Sequence, residues 1–75
     1  MHEWLEQASA RLNGARLEEG EIEPLLDLAR VAARTSGDRR NAPLVTYLVG
    51  LARGRGDQRS VEEIAAELAR DVGVT

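Results

Sequence analysis

The chain has 75 residues, 43% of them hydrophobic, a formal net charge of −3 and no cysteine. Its length implies a single domain, residues 1–75, that buries only roughly 60% of its unfolded surface, and the lack of cysteine excludes disulfides, thiolate metal sites and cysteine nucleophiles. With Trp4 and Tyr47 as the only aromatics, the core is expected to be Leu, Val, Ile and Ala, which favours close helix packing over a large enclosed active site.

The first predicted helix runs from about Glu3 to Leu12. Trp4, Leu5, Ala8 and Leu12 recur at helical spacing, and Asn13-Gly14 supplies the left-handed conformation that closes a helix. A loop containing Gly20 follows. Glu21, Glu23 and Pro24 then mark the first turn of a second helix, because acids suit the positive dipole end and proline lacks only a donor that is unneeded there. Leu25, Leu26, Leu28, Ala29, Ala32 and Ala33 give it a wide apolar surface, and it should end near Thr35-Ser36-Gly37.

The third helix is expected to start at Asn41 or Ala42, with Asn41 as cap and Pro43 in the first turn. It continues through Leu44, Val45, Tyr47, Leu48, Val49, Leu51 and Ala52 to Gly54 and Gly56. Being apolar over most of its circumference, it reads as the central, most buried element. Ser60-Val61-Glu62-Glu63 is a capping box. Val61, Ile64, Ala65, Leu68, Ala69 and Val72 then define an amphipathic fourth helix stopped by Gly73. The expected fold is all-α: a compact bundle of four short helices with the third one central.

The charges are unevenly placed. Residues 1–29 hold seven acids and two arginines (−5), residues 30–59 seven arginines and two acids (+5), and residues 60–75 four acids and one arginine (−3). A basic middle between acidic flanks can make an anion-binding face, or it can neutralise itself between neighbouring helices. All ten basic residues are arginine. That bias suggests a GC-rich genome, and it weakens any argument that each arginine serves bidentate recognition.

The candidate anion or partner site is the Arg39-Arg40-Asn41 turn, with Thr46 on the helix it opens and with Arg30 and Arg34, spaced i and i+4 on the second helix, as an extension. Unpaired N–H groups at a helix start, reinforced by guanidinium groups, can hold phosphate or carboxylate. The more ordinary reading is a solvated loop whose arginines pair with Asp38 or with acids of the first two helices. The acidic run Glu18, Glu19, Glu21, Glu23, Asp27 lacks the spacing of a hard-cation loop. His2 and Glu6 offer too few ligands for a metal. No base accompanies the hydroxyls of Ser9, Ser36, Ser60, Thr35, Thr46 or Tyr47 in a recognisable pattern, so catalytic residues, metals and cofactors are not expected.

Residues 60–75 resemble the first helix and turn of a helix-turn-helix, but the chain stops where the recognition helix should start and the segment carries −3. Arg55-Gly56-Asp57 matches an integrin-binding tripeptide, which reads as chance in a chain without secretion signals. No run approaches the ~18 apolar residues of a membrane span, and the start lacks signal-peptide character, so the expectation is a cytoplasmic protein.

Leu25-Leu26-Asp27-Leu28-Ala29-Arg30-Val31-Ala32, followed by Arg39 to Arg55 with its core Ala42-Pro43-Leu44-Val45-Thr46-Tyr47-Leu48-Val49-Gly50-Leu51-Ala52, resembles a small uncharacterised helical family of actinobacteria. Members of that family are short stand-alone proteins or tails fused to molybdenum cofactor guanylyltransferase. The resemblance covers most of the chain from Trp4-Leu5 onward, and its strongest element is Ala-Pro-Leu-x-x-Tyr/Phe-Leu-x-Gly. It implies a pathway and not a mechanism, since no catalytic residues come with it. The leading expectation is a non-enzymatic accessory or interaction module that binds a partner protein, such as the guanylyltransferase, or a phosphate-rich ligand. The alternatives are a nucleic-acid-binding module using the central arginines, disfavoured by the acidic flanks, and a self-associating bundle.

Overall fold

The computed structural model describes residues 2–73. The side chain of His2, and with it the His2–Glu6 pair considered as metal ligands, lies outside the described residues, as do Val74 and Thr75 of the helix-turn-helix-like segment. The fold is an all-α bundle of four helices: α1 (His2–Arg11), α2 (Glu19–Ser36), α3 (Asn41–Gly54) and α4 (Val61–Gly73).

Local signals account for most boundaries. Beyond α1, Asn13 (φ 59°) and Gly14 (φ 82°) take the left-handed conformation, and the Gly14 N–H donates to the Ser9 carbonyl at 2.9 Å. At the far end of α2, Gly37 (φ 73°) donates to the Ala33 carbonyl. Ahead of α4, both halves of the capping box form: the Glu63 N–H donates to Ser60 Oγ at 3.1 Å, and the Ser60 N–H to Glu63 Oε1 at 2.9 Å.

One helix start and one cap differ from expectation. α2 begins at Glu19, because the Glu18 N–H donates to Glu21 Oε1 at 2.9 Å and organises a turn upstream of Pro24. Pro24 therefore stands inside the helix rather than in its first turn, where its missing donor costs a helical hydrogen bond. Asn41 is the first helical residue of α3 and not its cap. The Asp38 carboxylate does the capping work upstream, accepting from the Arg40 N–H at 2.9 Å.

α2 is the hub of the bundle, packing on both α3 and α4, which meet each other far less. The start of α4 lies beside the start of α2, where Glu62 approaches Gly20, and Gly73 at the end of α4 lies beside Val31. α2 and α4 therefore run side by side in the same direction. The buried core is Leu28, Val49, Ile64 and Ala65, with Leu25, Val45, Val61, Leu68 and Ala69 packed around it.

The expectation that α3 is central is corrected by this arrangement. Val49 is buried and Val45 half-buried, but Leu44, Tyr47 and Leu48 are 60%, 65% and 56% exposed. A helix apolar on every side can cover only the side that meets a neighbour, and α3 has neighbours on one side. α1 is more isolated still, its described residues making no close backbone contact with any other helix. The chain extends 39 × 26 × 18 Å with a radius of gyration of 12.6 Å, against about 11 Å for a compact domain of this length.

Candidate functional site

The arginine turn forms as a distinct structure, and the amides of Arg40, Asn41 and Ala42 are already engaged. The Asn41 N–H donates to the Asp38 carbonyl at 3.0 Å and the Ala42 N–H to the Arg39 carbonyl at 3.1 Å. Pro43 has no N–H to offer. The first three positions of α3 thus present none of the free amides that make a helix start an anion site.

The guanidinium groups divide in the same way. Arg40 Nε and Nη2 hold both oxygens of Asp38, at 3.0 and 2.8 Å. This fork keeps the Asp38 carboxyl below its usual range and raises Arg40, chiefly through the side-chain hydrogen bonds between them. Arg30 pairs with Asp27 one turn earlier on α2. Arg34 and Arg39 are exposed. Thr46 is half-buried, and its hydroxyl donates to the Pro43 carbonyl at 2.9 Å, a bond within its own helix. Of the six candidates, then, Arg30, Arg40 and Thr46 have local partners, Asn41 opens the helix, and Arg34 and Arg39 stand in solvent.

A second arginine–aspartate fork, unnoticed at the level of sequence, closes the α3–α4 connection. Arg59 holds Asp57 through Nε and Nη2, at 3.0 and 2.6 Å, and reaches Glu67 on α4 at 3.3 Å. The Arg59 side chain, followed by its backbone N–H, lowers the Asp57 pKa to about 2. The signal was the repeated Asp-x-Arg pattern, Asp38-Arg39-Arg40 and Asp57-Gln58-Arg59: an aspartate that accepts the backbone N–H two residues on places its carboxylate beside the side chain there. Both fork aspartates are already counted in the +5 of residues 30–59, so it is the Arg30–Asp27 and Arg59–Glu67 pairs that offset that charge with acids of the flanks.

Apolar side chains stay exposed on both α1 and α3. Along α3, Leu44, Tyr47, Leu48 and Leu51 recur at i, i+3, i+4 and i+7, so they share one face, and the first three are more than half exposed. Arg40 and Arg55 extend the same register at its two ends. Elsewhere, Trp4 is 71% exposed and Leu12 63% exposed. Between α1 and the start of α2 lies an open apolar groove of about 470 Å³ lined by Trp4, Leu5, Leu17, Ile22, Leu25 and Leu26. Its continuation toward the α1–α2 loop is bordered by Glu6, Arg16 and Glu19.

The total accessible surface, 5773 Å², is larger than the roughly 4,500 Å² expected for a compact monomer of 8.2 kDa. Among the described residues no group of three His, Asp or Glu side chains could hold a metal ion. No described helix is long and apolar enough to cross a membrane. In comparisons with known proteins, a domain of unknown function, DUF6457, matches residues 1–74. No curated protein and no solved structure matches the chain.

Proposed function

The chain belongs to the DUF6457 family, and we propose that it is a non-enzymatic helical interaction module of the cytoplasm, which works by burying its exposed apolar helix faces against protein. The observation that carries this reading is the exposure of Trp4, Leu44, Tyr47 and Leu48, each more than half open to solvent. Contiguous apolar patches rarely remain uncovered on soluble monomers, and aromatic residues are enriched at the centres of interfaces. A protein surface fits these faces better than a phosphate-rich ligand does, because the first amides of α3 and the Arg40 guanidinium are already engaged.

The resemblance to tails of molybdenum cofactor guanylyltransferase names the partner to try first. Mixing the purified chain with that enzyme from the same organism should give a complex that co-elutes on size exclusion, and Tyr47→Glu should abolish it while leaving the helical circular dichroism intact. If no complex forms, that enzyme is not the partner. A complex indifferent to Tyr47→Glu places binding away from the apolar face of α3.

A further inference from the structure

We propose that two copies of this chain form a closed dimer in which the α1–α2 groove of each receives the Leu44–Leu51 face of the other's α3. The proposal rests on the interaction reading above and names the first occupant of its surfaces. It starts from area. The chain exposes about 1,200 Å² more than a compact monomer of its mass, and a stable interface removes roughly 800 Å² from each partner. One reciprocal contact is of the size needed to cover the excess.

Shape and chemistry match the two surfaces to each other. The groove is lined by apolar side chains, Trp4, Leu25 and Leu26 among them, and a helix face with anchors at i, i+3, i+4 and i+7 is the kind of ligand such a groove accepts. The groove belongs to the acidic part of the chain, residues 1–29 with net −5, and the α3 face to the basic part, residues 30–59 with net +5. Glu6 and Arg16 border the groove's continuation, while the exposed Arg55 ends the α3 face, Arg40 at its other end being held by Asp38.

The groove and the face do not satisfy each other within one chain, since α1 makes no close contact with α3. A second copy supplies both at once. Two-fold symmetry then makes the contact reciprocal and closes it, whereas a single head-to-tail contact would propagate into a filament. Pairing α3 against α3 in parallel would instead set each Arg55 against its own copy.

Sedimentation equilibrium of the full chain, from micromolar to millimolar, should show monomer and a species of twice the 8.2 kDa mass. Across the same range the fluorescence of Trp4, the only tryptophan, should shift to the blue as it is covered. Leu48→Glu, carried by both copies, should weaken the dimer by roughly 1,000-fold, the effect of losing two symmetric central contacts of about 2 kcal/mol each, with unchanged helix content.

Glu6→Arg should weaken dimerisation a few-fold, and adding Arg55→Glu to it should restore most of the loss, because only groove-to-face pairing brings these charges together. A chain that stays monomeric to about 1 mM, a dimer in which Trp4 emission does not move, an open series of larger species, or a dimer strengthened by Arg55→Glu and indifferent to Glu6→Arg would each overturn the proposal. A monomer that still binds the guanylyltransferase through Tyr47 would overturn it and leave the interaction reading standing. A monomer that also fails to bind removes the support from both.

Discussion

α1 and α4 are written in the same grammar and end in opposite circumstances. Each is a short amphipathic helix with acid in its first turn and arginine in its last. α4 buries Ile64 and Ala65 against α2 and α3. α1 leaves Trp4 71% exposed and touches no other helix closely. The lesson is that helical periodicity specifies a face and says nothing about what covers it. α4 is held by a side-chain capping box and by a neighbour along its length, whereas α1 is joined to the bundle by an exposed loop through Asn13 and Gly14.

That contrast can be broken most strongly at the core. Ile64→Ala removes a buried side chain that touches the centre of the bundle and should cost about 2–5 kcal/mol, read as a fall in the thermal midpoint by circular dichroism. Trp4→Ala, a larger truncation, should move the stability of the dilute monomer by no more than about 0.5 kcal/mol, as expected for a surface change away from packing. If the two substitutions cost the same, α1 is packed in solution and the contrast is wrong.

The next effect is at the cap. Ser60→Ala removes the acceptor for the Glu63 N–H and should cost about 1 kcal/mol of stability. The measurement is chemical denaturation of wild type and variant side by side, and the midpoint should fall without a change in slope.

The smallest effect is electrostatic. Asp57 has a pKa of about 2 in the folded chain, below its ordinary 3.8. A folded pKa below the unfolded one means that the unfolded state binds the proton more readily, so the Asp57–Arg59 contribution is present above about pH 4. It should be lost as the pH falls toward 2. In Asp57→Asn the decline in stability over that window should be shallower, measured as denaturation midpoints at successive pH values.

Much of the fold was legible residue by residue. Ser60 and Glu63 announced α4, Asn13-Gly14 and Gly37 announced the ends of α1 and α2, and the i, i+3, i+4 pattern announced the buried side of α4, because caps and periodicity act over one or two turns. One start and one cap were misplaced for equally local reasons: the Glu18 N–H donates to the Glu21 side chain ahead of Pro24, and the Arg40 N–H donates to Asp38 ahead of Asn41. The candidate site was half legible. The arginine turn exists, but Asp38 takes the Asn41 amide and both the amide and guanidinium of Arg40, in a pattern that the Asp-x-Arg repeat already contained, and the Arg39 carbonyl takes the Ala42 amide.

By itself, then, the sequence determined the number of helices, their caps and which residues share a face, since each depends on neighbours within about four positions along the chain. Only the tertiary structure decided that α2 and not α3 is the hub, that α1 stands apart, and that Leu44, Tyr47 and Leu48 face solvent. Burial is a property of where helices meet, and the packing of α2, α3 and α4 leaves the Leu44, Tyr47 and Leu48 face of α3 uncovered by any other described residues.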